Sequence, residues 1–353
     1  MQRQNNIVLC AGGTGGHLFP ALAAGRMLLE KRKDVVITLA TDKAEVEGMD
    51  NAFQHLHLGI PRRSTSLMLP FFGLALCLAF VKSFFTFLKS RPALVVGFGG
   101  YPSVPPVLAA QLLGIPTLLH EQNAYLGWAN RILVGRSKML ALSFKDTQGI
   151  REGVNTILTG NPVRFKAIQA FQDPASPYHL FVVGGSQGAA HFSDLIPEAF
   201  EILSPEERLH FTLTMQCRQE RLYKTTARFG NLGMSPLLAP FFKDMQAEFA
   251  KADFIISRAG ASTVSEIATM GRCALFIPYP YATDDHQYHN AKALGSSCFL
   301  ARQDSFTAKD LAHMLRKVNP SILVEKASAI HIYSMENASM SLAKVMEDLL
   351  PTV

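Results

Sequence analysis

Three short glycine-rich segments of this chain have the composition of phosphate-binding turns. Residues 12–16 read GGTGG, residues 97–101 read GFGGY and residues 184–188 read GGSQG. The first and third follow a strand-like apolar run and lead into a helix-like stretch. A turn of this kind brings the backbone close to a ligand, and the helix that follows offers free N–H groups and a partial positive charge. Because there are three of them, the sequence favours phosphate binding over plain tight turns.

These turns depart from the common nucleotide fingerprints. No Lys-Ser or Lys-Thr pair follows any of them, which excludes a P-loop. The dinucleotide spacing fails as well. Counted from Gly13 and Gly15, the third glycine would fall at Leu18, and counted from Gly184 the second would fall at Ser186. The sequence therefore disfavours a nicotinamide oxidoreductase and the standard modes of holding NAD or ATP.

A second group of polar residues lies in the second half. Residues 253–266 predict a strand, a turn at Gly260 and a helix capped by Ser262 or Thr263. Glu266 either lies near the capping-box position or accepts two ribose hydroxyls. Residues 284–290 read DDHQYHN, whose amides suit sugar hydroxyls in one interpretation and form a solvated loop in the other. No His pair there has convincing metal-ligand spacing, so no metal or other cofactor is expected.

The stretch from residue 67 to 81 is apolar, and basic residues flank it at positions 62, 63, 82, 89 and 91. As a helix its 15 residues would reach about 22 Å, short of the roughly 30 Å of a bilayer core, and Pro70 and Gly73 interrupt it. This pattern favours contact with an anionic membrane surface through about residues 62–91 over a transmembrane span. The alternative is an ordinary buried helix.

Charge and cysteine content limit the compartment and the partners. The net charge is +6, but residues 1–150 hold 15 basic and 8 acidic residues whereas residues 151–353 hold 19 and 20. The first half is therefore expected to meet something anionic: phospholipid, pyrophosphate or nucleic acid. The five cysteines are scattered, which fits a reducing compartment and argues against disulfides or zinc. The strand-like run at Ile7 starts too early for a signal peptide.

The elements that position these residues alternate as in a doubly wound α/β fold. Short apolar runs predict strands at 6–10, 35–40, 93–97, 117–119, 139–142, 156–158, 180–183, 211–214, 253–256, 274–277 and 298–300. Helix-like stretches include 17–31, 103–113, 189–203, 262–270 and 286–295. The pattern restarts at the third glycine-rich segment, so two Rossmann-like halves are expected with a hinge near 160–162. A final helix-like stretch, about 335–350, has no strand partner and is expected to pack back across the first domain.

Six segments in order match one known family: 12–17, 97–101, 120–123, 160–164, 184–188 and 257–260. The chain resembles the bacterial UDP-N-acetylglucosamine–N-acetylmuramyl-(pentapeptide) pyrophosphoryl-undecaprenol N-acetylglucosamine transferases over essentially its whole length. The resemblance implies a GT-B fold, α/β, with two Rossmann-like doubly wound parallel-sheet domains facing across a cleft. Residues 1–161 would form the acceptor and membrane-associated domain, 162–334 the UDP-sugar domain, and 335–353 a C-terminal helix on the first domain.

The same resemblance implies an inverting transfer of GlcNAc from UDP-GlcNAc to lipid I, the undecaprenyl-linked acceptor, which gives lipid II in peptidoglycan synthesis. The enzyme would be peripheral at the cytoplasmic face of the bacterial inner membrane. Cell-wall synthesis and division proteins are candidate partners, and nucleic acid is not. Two rivals stay open: a soluble enzyme like UDP-GlcNAc 2-epimerase, and a non-catalytic membrane scaffold subunit.

Site residues are carried over from the resemblance position by position. The donor-binding set comprises Thr14, Gly15, Gly16, Asn123, Arg164, Ser186, Phe242, Ala261, Ser262, Thr263, Val264, Ser265, Glu266 and Gln287, and the amide of Asn290 in the polar loop joins it. The acceptor-binding set comprises Gly99, Gly100 and Tyr101. The general base is either His17, which can titrate near neutral pH, or Glu121. Glu121 could equally be structural, and His17 could cap its helix.

Overall fold

The chain divides into two compact units. In the computed structural model, Met1–Arg164 and Asn337–Val353 form unit 1 and Phe165–Glu336 forms unit 2. The residues described are 5–12, 15–42, 51–61, 69–163, 176–185 and 190–351. The domain boundaries predicted from the sequence lie within three residues of the two divisions.

Unit 1 contains a seven-stranded parallel sheet with helices between its strands. The strands are β1 (Asn5–Cys10), β2 (Val35–Thr41), β3 (Gln54–His57), β4 (Leu94–Gly97), β5 (Thr117–Glu121), β6 (Met139–Leu142) and β7 (Thr156–Leu158). The helices are α1 (Gly15–Lys31), α2 (Leu69–Ser90), α3 (Val104–Leu112) and α4 (Trp128–Leu133). The strand order is β3-β2-β1-β4-β5-β6-β7.

Unit 2 repeats this architecture with six parallel strands. They are β8 (Tyr178–Val183), β9 (Phe211–Gln216), β10 (Leu237–Ala239), β11 (Phe254–Ser257), β12 (Cys273–Phe276) and β13 (Phe299–Leu300), in the order β10-β9-β8-β11-β12-β13. The helices are α5 (Phe192–Ile202), α6 (Pro205–Arg208), α7 (Leu222–Asn231), α8 (Met245–Lys251), α9 (Ala261–Met270), α10 (His286–Lys292), α11 (Ala308–Lys317) and α12 (Pro320–His331). A last helix, α13 (Ala338–Asp348), belongs to unit 1.

In both sheets the strand order changes direction beside the strand that comes first in the chain. In unit 1 the reversal lies between β1 and β4, whose last residues Cys10 and Gly97 are in register. In unit 2 it lies between β8 and β11, where Val183 pairs with Ser257. Ligands of open α/β sheets bind outside the carboxyl ends of the strands at such a switch point. The glycine-rich segments that follow β1, β4 and β8 are therefore placed where ligands bind.

The sheet is buried on both faces in each unit, as the apolar runs predict. All four residues of β4, β11 and β12 are buried. In unit 1, α1 and α13 cover one face of the sheet and contribute to one core cluster. The helices α2 and α3 contribute to a second cluster that contains alternate residues of the same strands. This burial on both faces explains why these strands read as continuous apolar runs.

The apolar segment forms a longer helix than its composition suggests. The helix α2 has 22 residues and continues past residue 81 through Lys82 and Lys89, so the length of 15 residues inferred from the sequence is wrong. Pro70 falls in the first turn, where proline is tolerated. Among the described residues, this is the one helix long and apolar enough to cross a membrane, by length and composition.

Two strands, β3 and β10, were not predicted from the sequence. The strand β3 contains Gln54, His55 and His57, and it pairs only with β2 at the edge of the first sheet. The strand β10 has three residues and lies at the edge of the second sheet. Edge strands are buried on fewer sides, so their composition carries a weaker apolar signal.

Candidate active site

His17 lies in the first turn of α1 and packs against the second glycine turn. A Cβ atom built on Gly99 would lie 3.4 Å from His17 Cδ2, and one built on Gly100 would lie 3.3 Å from His17 Nδ1. The two glycines have φ angles of +83° and +74°. Both the left-handed backbone and the close approach of the half-buried imidazole therefore require glycine here. The structure brings these three predicted residues together at the switch point of unit 1.

The rest of this switch point combines open backbone with an engaged tyrosine. Among the described residues, and apart from its chain neighbours and its own helix backbone, no atom lies within 4 Å of a Cβ built on Gly16. A Cβ built on Gly15 would lie 2.8 Å from the Phe19 ring. The Tyr101 hydroxyl donates to Asp42 Oδ2 at 3.1 Å. The Tyr101 ring also meets Phe72 of α2 edge-on, with 5.1 Å between centroids. Tyr101 thus connects the second glycine turn to α2.

The carboxylate of Glu121 is 2% exposed and saturated with hydrogen bonds. Its Oε1 accepts from the backbone N and the Nδ2 of Asn123, both at 3.0 Å. Its Oε2 accepts from the backbone N of Gly127 and from Asn130 Nδ2, both at 2.9 Å. A carboxylate that already accepts four hydrogen bonds holds the loop after β5 in place. The geometry favours the structural role for Glu121 and fixes the side chain of Asn123.

His120, the neighbour of Glu121, is completely buried and neutral. Its Nε2 donates to Gly160 O at 3.0 Å, and its Nδ1 accepts from Gln122 Nε2 at 2.8 Å. Burial lowers the pKa of His120 to about 4. Since a carbonyl oxygen can only accept, the hydrogen of the neutral ring is on Nε2. His120 therefore ties the loop after β5 to the turn after β7.

In unit 2 the helix α9 begins with uncapped N–H groups. Its N-cap is Gly260, which has no side chain to accept them. The expectation that Ser262 or Thr263 caps this helix is wrong, because both residues lie inside its first turn. Glu266 is the sixth helical residue and so lies outside a capping box. Glu266 is half-buried on the turn that follows.

The helix α10 is hydrogen-bonded both to the loop that follows β12 and to the turn that precedes α9. Gln287 Oε1 accepts from the Tyr279 backbone N at 2.9 Å. Asn290 is fully buried, and its Nδ2 donates to Ala259 O at 3.0 Å. Asn290 therefore positions the backbone beside Gly260, and Gln287 connects α10 to the loop that follows β12.

Two consecutive aspartates in this loop have left-handed backbone. Asp284 has φ +53° and Asp285 has φ +50°. Non-glycine residues adopt this region at a cost of about 1–3 kcal/mol each, and such residues cluster at functional sites. Asp285 also pairs with Arg302 at 2.8 Å. The strained turn aims the start of α10, which holds Gln287.

Phe242 is buried and packs edge-on against Phe181 of β8, with 5.6 Å between ring centroids. Because its ring belongs to the core, a ligand can reach this position only through the backbone. Phe241 beside it is exposed. Three predicted donor residues, Thr14, Arg164 and Ser186, lie outside the described residues, as do Gln187 and Gly188 of the third glycine-rich segment.

Sequence reasoning gave no role to two buried residues beside these turns, His120 near the end of β5 and Arg258 directly after β11. Both follow apolar strand residues inside segments that match the family, and that placement was the available signal. Arg258 comes directly after β11 and is 8% exposed. Within the described parts of the chain, no group of three or more His, Cys, Asp or Glu side chains could hold a metal ion.

Two Rossmann-like units, each with a switch point beside its first strand, have the architecture of the GT-B glycosyltransferases. Residues 7–141 match the model of the glycosyltransferase family 28 N-terminal domain, and residues 179–346 match that of the family 28 C-terminal domain. The chain belongs to glycosyltransferase family 28, in the group of bacterial UDP-N-acetylglucosamine–N-acetylmuramyl-(pentapeptide) pyrophosphoryl-undecaprenol N-acetylglucosamine transferases. The fold class and the family inferred from the sequence are both confirmed.

Individual relatives resemble this chain along almost its full length. The transferase of that name from Brucella abortus (strain S19) is 40% identical over 98% of this chain and 95% of its own. That of Brucella suis biovar 1 (strain 1330) is 40% identical over 99% and 96%. The crystal structure of Acinetobacter baumannii MurG has a TM-score of 0.81, 30% identity, and coverage of 98% and 99%. The UDP-GlcNAc 2-epimerase of Neisseria meningitidis shares the fold alone, with a TM-score of 0.67 and 15% identity.

Proposed function

We propose that this enzyme transfers GlcNAc from UDP-GlcNAc to the 4-hydroxyl of MurNAc in undecaprenyl-pyrophosphoryl-MurNAc-pentapeptide, lipid I, with inversion at the anomeric carbon. The product is lipid II. The observation that carries this proposal is the 40% identity to transferases of that name over nearly the whole of both chains. Likeness to 2-epimerases rests on 15% identity and extends to the fold only.

Unit 2 is proposed to bind the donor. The uncapped first turn of α9 offers N–H groups to an anionic or hydroxylated ligand. Glu266 on the next turn is assigned to the ribose hydroxyls, Gln287 to the sugar, and the backbone at Phe242 to the base. The family resemblance adds Arg164 and the turn at Ser186 for the diphosphate.

Unit 1 is proposed to bind the acceptor and to supply the base. His17 takes the proton from the MurNAc hydroxyl, whose oxygen then bonds to the anomeric carbon while the bond to the UDP oxygen breaks. Gly99 and Gly100 press on the imidazole and fix its orientation. Glu121 is left as a positioning residue, because its four accepted hydrogen bonds occupy both oxygens.

The helix α2 is proposed to rest in an anionic membrane surface. One side of it is part of unit 1: Ala79, Ser83 and Phe87 are buried, and Lys82 Nζ donates to His57 O at 2.6 Å. The opposite side exposes a continuous apolar stripe, formed by Phe71, Leu74, Leu78, Val81, Phe85 and Leu88. A helix packed along a folded unit cannot also be surrounded by lipid, so α2 lies in the interface and does not span it.

We propose that the enzyme is attached peripherally at the cytoplasmic face of the membrane, and this geometry and the family support that location. Lys82, Lys89 and Arg91 flank the apolar stripe with positive charge, and each contributes about 1 kcal/mol near an anionic bilayer. The helix α3, which packs against α2, adds exposed Leu108 and Leu112. An enzyme held at the surface in this way meets an acceptor whose lipid tail is in the same bilayer.

The proposed reaction is tested with labelled UDP-GlcNAc and a lipid I analogue. The intact enzyme is expected to form the disaccharide, His17→Ala to lower kcat by about 10²–10⁴-fold, and Glu266→Ala mainly to raise KM for the donor. Incubation with donor alone is the control for epimerisation. Conversion of the donor without acceptor, or no product with it, would contradict the proposal.

A further inference from the structure

Among the described residues, Arg258 is a buried cation without an acidic partner. Its Nη1 donates to the carbonyl oxygens of Ile277 and Pro278 at 2.9 and 3.0 Å, and its Nη2 donates to Gln303 Oε1 at 2.6 Å. All three acceptors are neutral. No ion pair involves Arg258 in the described part of the chain. Burial lowers the pKa of Arg258 to about 10, which leaves the guanidinium charged at neutral pH.

This charge lies at the start of α5. The guanidinium carbon is 4.9 Å from the ring centroid of Phe192, the first residue of that helix. The pKa of His191, the N-cap residue, is lowered by burial first and by the charge of Arg258 second. The acid of the first turn, Asp194, pairs with Arg221 at 3.3 Å. A cation at the positive end of a helix is unfavourable by itself, and an anion placed there relieves both charges.

The same side chain holds the neighbouring loop. The carbonyl oxygens that it binds belong to Ile277 and Pro278, directly before Tyr279, whose backbone N is held by Gln287. The ring of Tyr279 lies 5.7 Å from the guanidinium carbon. Arg258 therefore connects the turn after β11, the start of α5 and the loop after β12.

We infer that Arg258 is a positioning residue that also acts electrostatically: its uncompensated charge, beside Phe192, strengthens binding of the donor's diphosphate at the start of α5. The inference rests on the proposed donor site in unit 2. It predicts that the diphosphate, and not the nucleoside, senses the charge. Binding of UDP and of uridine to the intact enzyme, measured by calorimetry at low salt, separates the two.

The most specific variant keeps Arg258 and neutralises its charge by placing an acid beside it. Gln303→Glu keeps the 2.6 Å contact and turns it into an ion pair. UDP affinity is expected to fall roughly 10-fold, as a charge several Å away changes binding at an intermediate dielectric. The affinity for uridine and the midpoint of thermal unfolding are expected to stay unchanged. Ser305→Glu, an exposed position two residues along, controls for the added acid and is expected to weaken UDP by less than about 2-fold.

Removal of the charge gives a second measurement. Arg258→Met is expected to weaken UDP roughly 10- to 50-fold more than uridine, and Arg258→Lys to keep most of the difference between the ligands. Arg272 is a matched control: it is 6% exposed and donates to carbonyl oxygens, but it precedes β12 at the opposite edge of the sheet. Arg272→Met is expected to leave the ratio of the two affinities unchanged.

Equal loss of UDP and uridine binding in Gln303→Glu, or no loss, would overturn the electrostatic role, and this holds even where Arg258→Met does not fold. Failure of the unmodified enzyme to bind UDP is a different result. It would contradict the donor site itself.

Discussion

Glu121 and His17 lie on the same edge of one sheet, but both oxygens of Glu121 are already occupied by hydrogen bonds. Glu121→Gln replaces one acceptor oxygen by an NH₂ group that faces two N–H donors. We expect it to destabilise the fold by about 2–4 kcal/mol, because buried donors lose their acceptor. The remaining activity should keep the acidic limb of the pH–rate profile, which His17→Ala should lose.

Urea unfolding and initial rates from about pH 5 to 9, a range that spans the titration of a histidine, check this pair of variants. Loss of the acidic limb in Glu121→Gln, at unchanged stability, would return Glu121 to the role of base.

His120 gives the fold a dependence on acidity. Its folded pKa of about 4 lies below the roughly 6.5 of an unfolded histidine. As pH falls, the unfolded chain takes up the proton first. Stability is therefore complete above about pH 6.5 and decreases by roughly 3 kcal/mol towards pH 4.

The free energy of unfolding at about pH 7 and about pH 4.5, on either side of the unfolded histidine pKa, measures the effect of this histidine. His120→Gln should show a shallower decrease than the unmodified enzyme, whereas His313→Gln, at an exposed histidine of α11, should not. An equal decrease in the free energy of unfolding in all three proteins would contradict the assignment to His120.

At the scale of elements, the exposed stripe of α2 makes a prediction about membranes. Leu78→Glu with Phe85→Glu places two charges on the stripe, and we expect binding to anionic vesicles to fall more than about 10-fold, since each side chain contributes about 1.5–3 kcal/mol when buried in apolar surroundings. Catalysis with a short-chain soluble acceptor should be retained, because both residues lie on the exposed side of α2.

Vesicle co-sedimentation at two salt concentrations is the measurement. Leu209→Glu is the control, because Leu209 is a leucine of unit 2 that is even more exposed than Leu78 and Phe85. If it reduced vesicle binding as much as the α2 variant does, the assignment of α2 would fail.

The sequence determines the central elements better than their edges. Buried parallel strands such as β4 and β11 read as apolar runs, so their positions follow from composition. The edge strand β3, with its histidines, carries no such signal. The helix α2 was predicted too short because Lys82 and Lys89 end the apolar run, although Lys82 lies along the helix and reaches His57 O.

The candidate site likewise has features that the sequence predicts and features that it does not. Glycines 99 and 100 were predictable, because a turn that meets a ligand needs small residues. Their contact with the His17 ring depends on the register of β1 and β4. The four hydrogen bonds of Glu121 come from residues up to nine positions away, the farthest of them in α4. Whether Arg258 has an acidic partner depends on tertiary packing. The sequence around it does not predict this.

At the scale of the whole molecule, α13 completes unit 1. Leu342, Ala343, Val345 and Met346 join the core beneath α1, and Arg32 donates to both Asp34 and Glu347. Leu342→Ala is therefore expected to cost about 2–5 kcal/mol in the free energy of unfolding. Met340→Ala, on the exposed side of the same helix, should cost less than about 1 kcal/mol.

Thermal unfolding followed by calorimetry compares these two variants. Similar midpoints would mean that α13 contributes little to the core of unit 1.

The position of α13 at the end of the chain also sets an order for biosynthesis. Unit 2 is one continuous stretch, Phe165–Glu336, and it has all its residues once α12 has left the ribosome. Most of unit 1 is translated first, but its last helix, α13, is translated only after unit 2. At about 5–20 residues per second, translation from Arg164 to Asp348 takes roughly 10–40 s, and during that time the apolar surface of α1 is not covered by α13. During that interval the nascent chain offers chaperones a hydrophobic surface that the finished enzyme conceals.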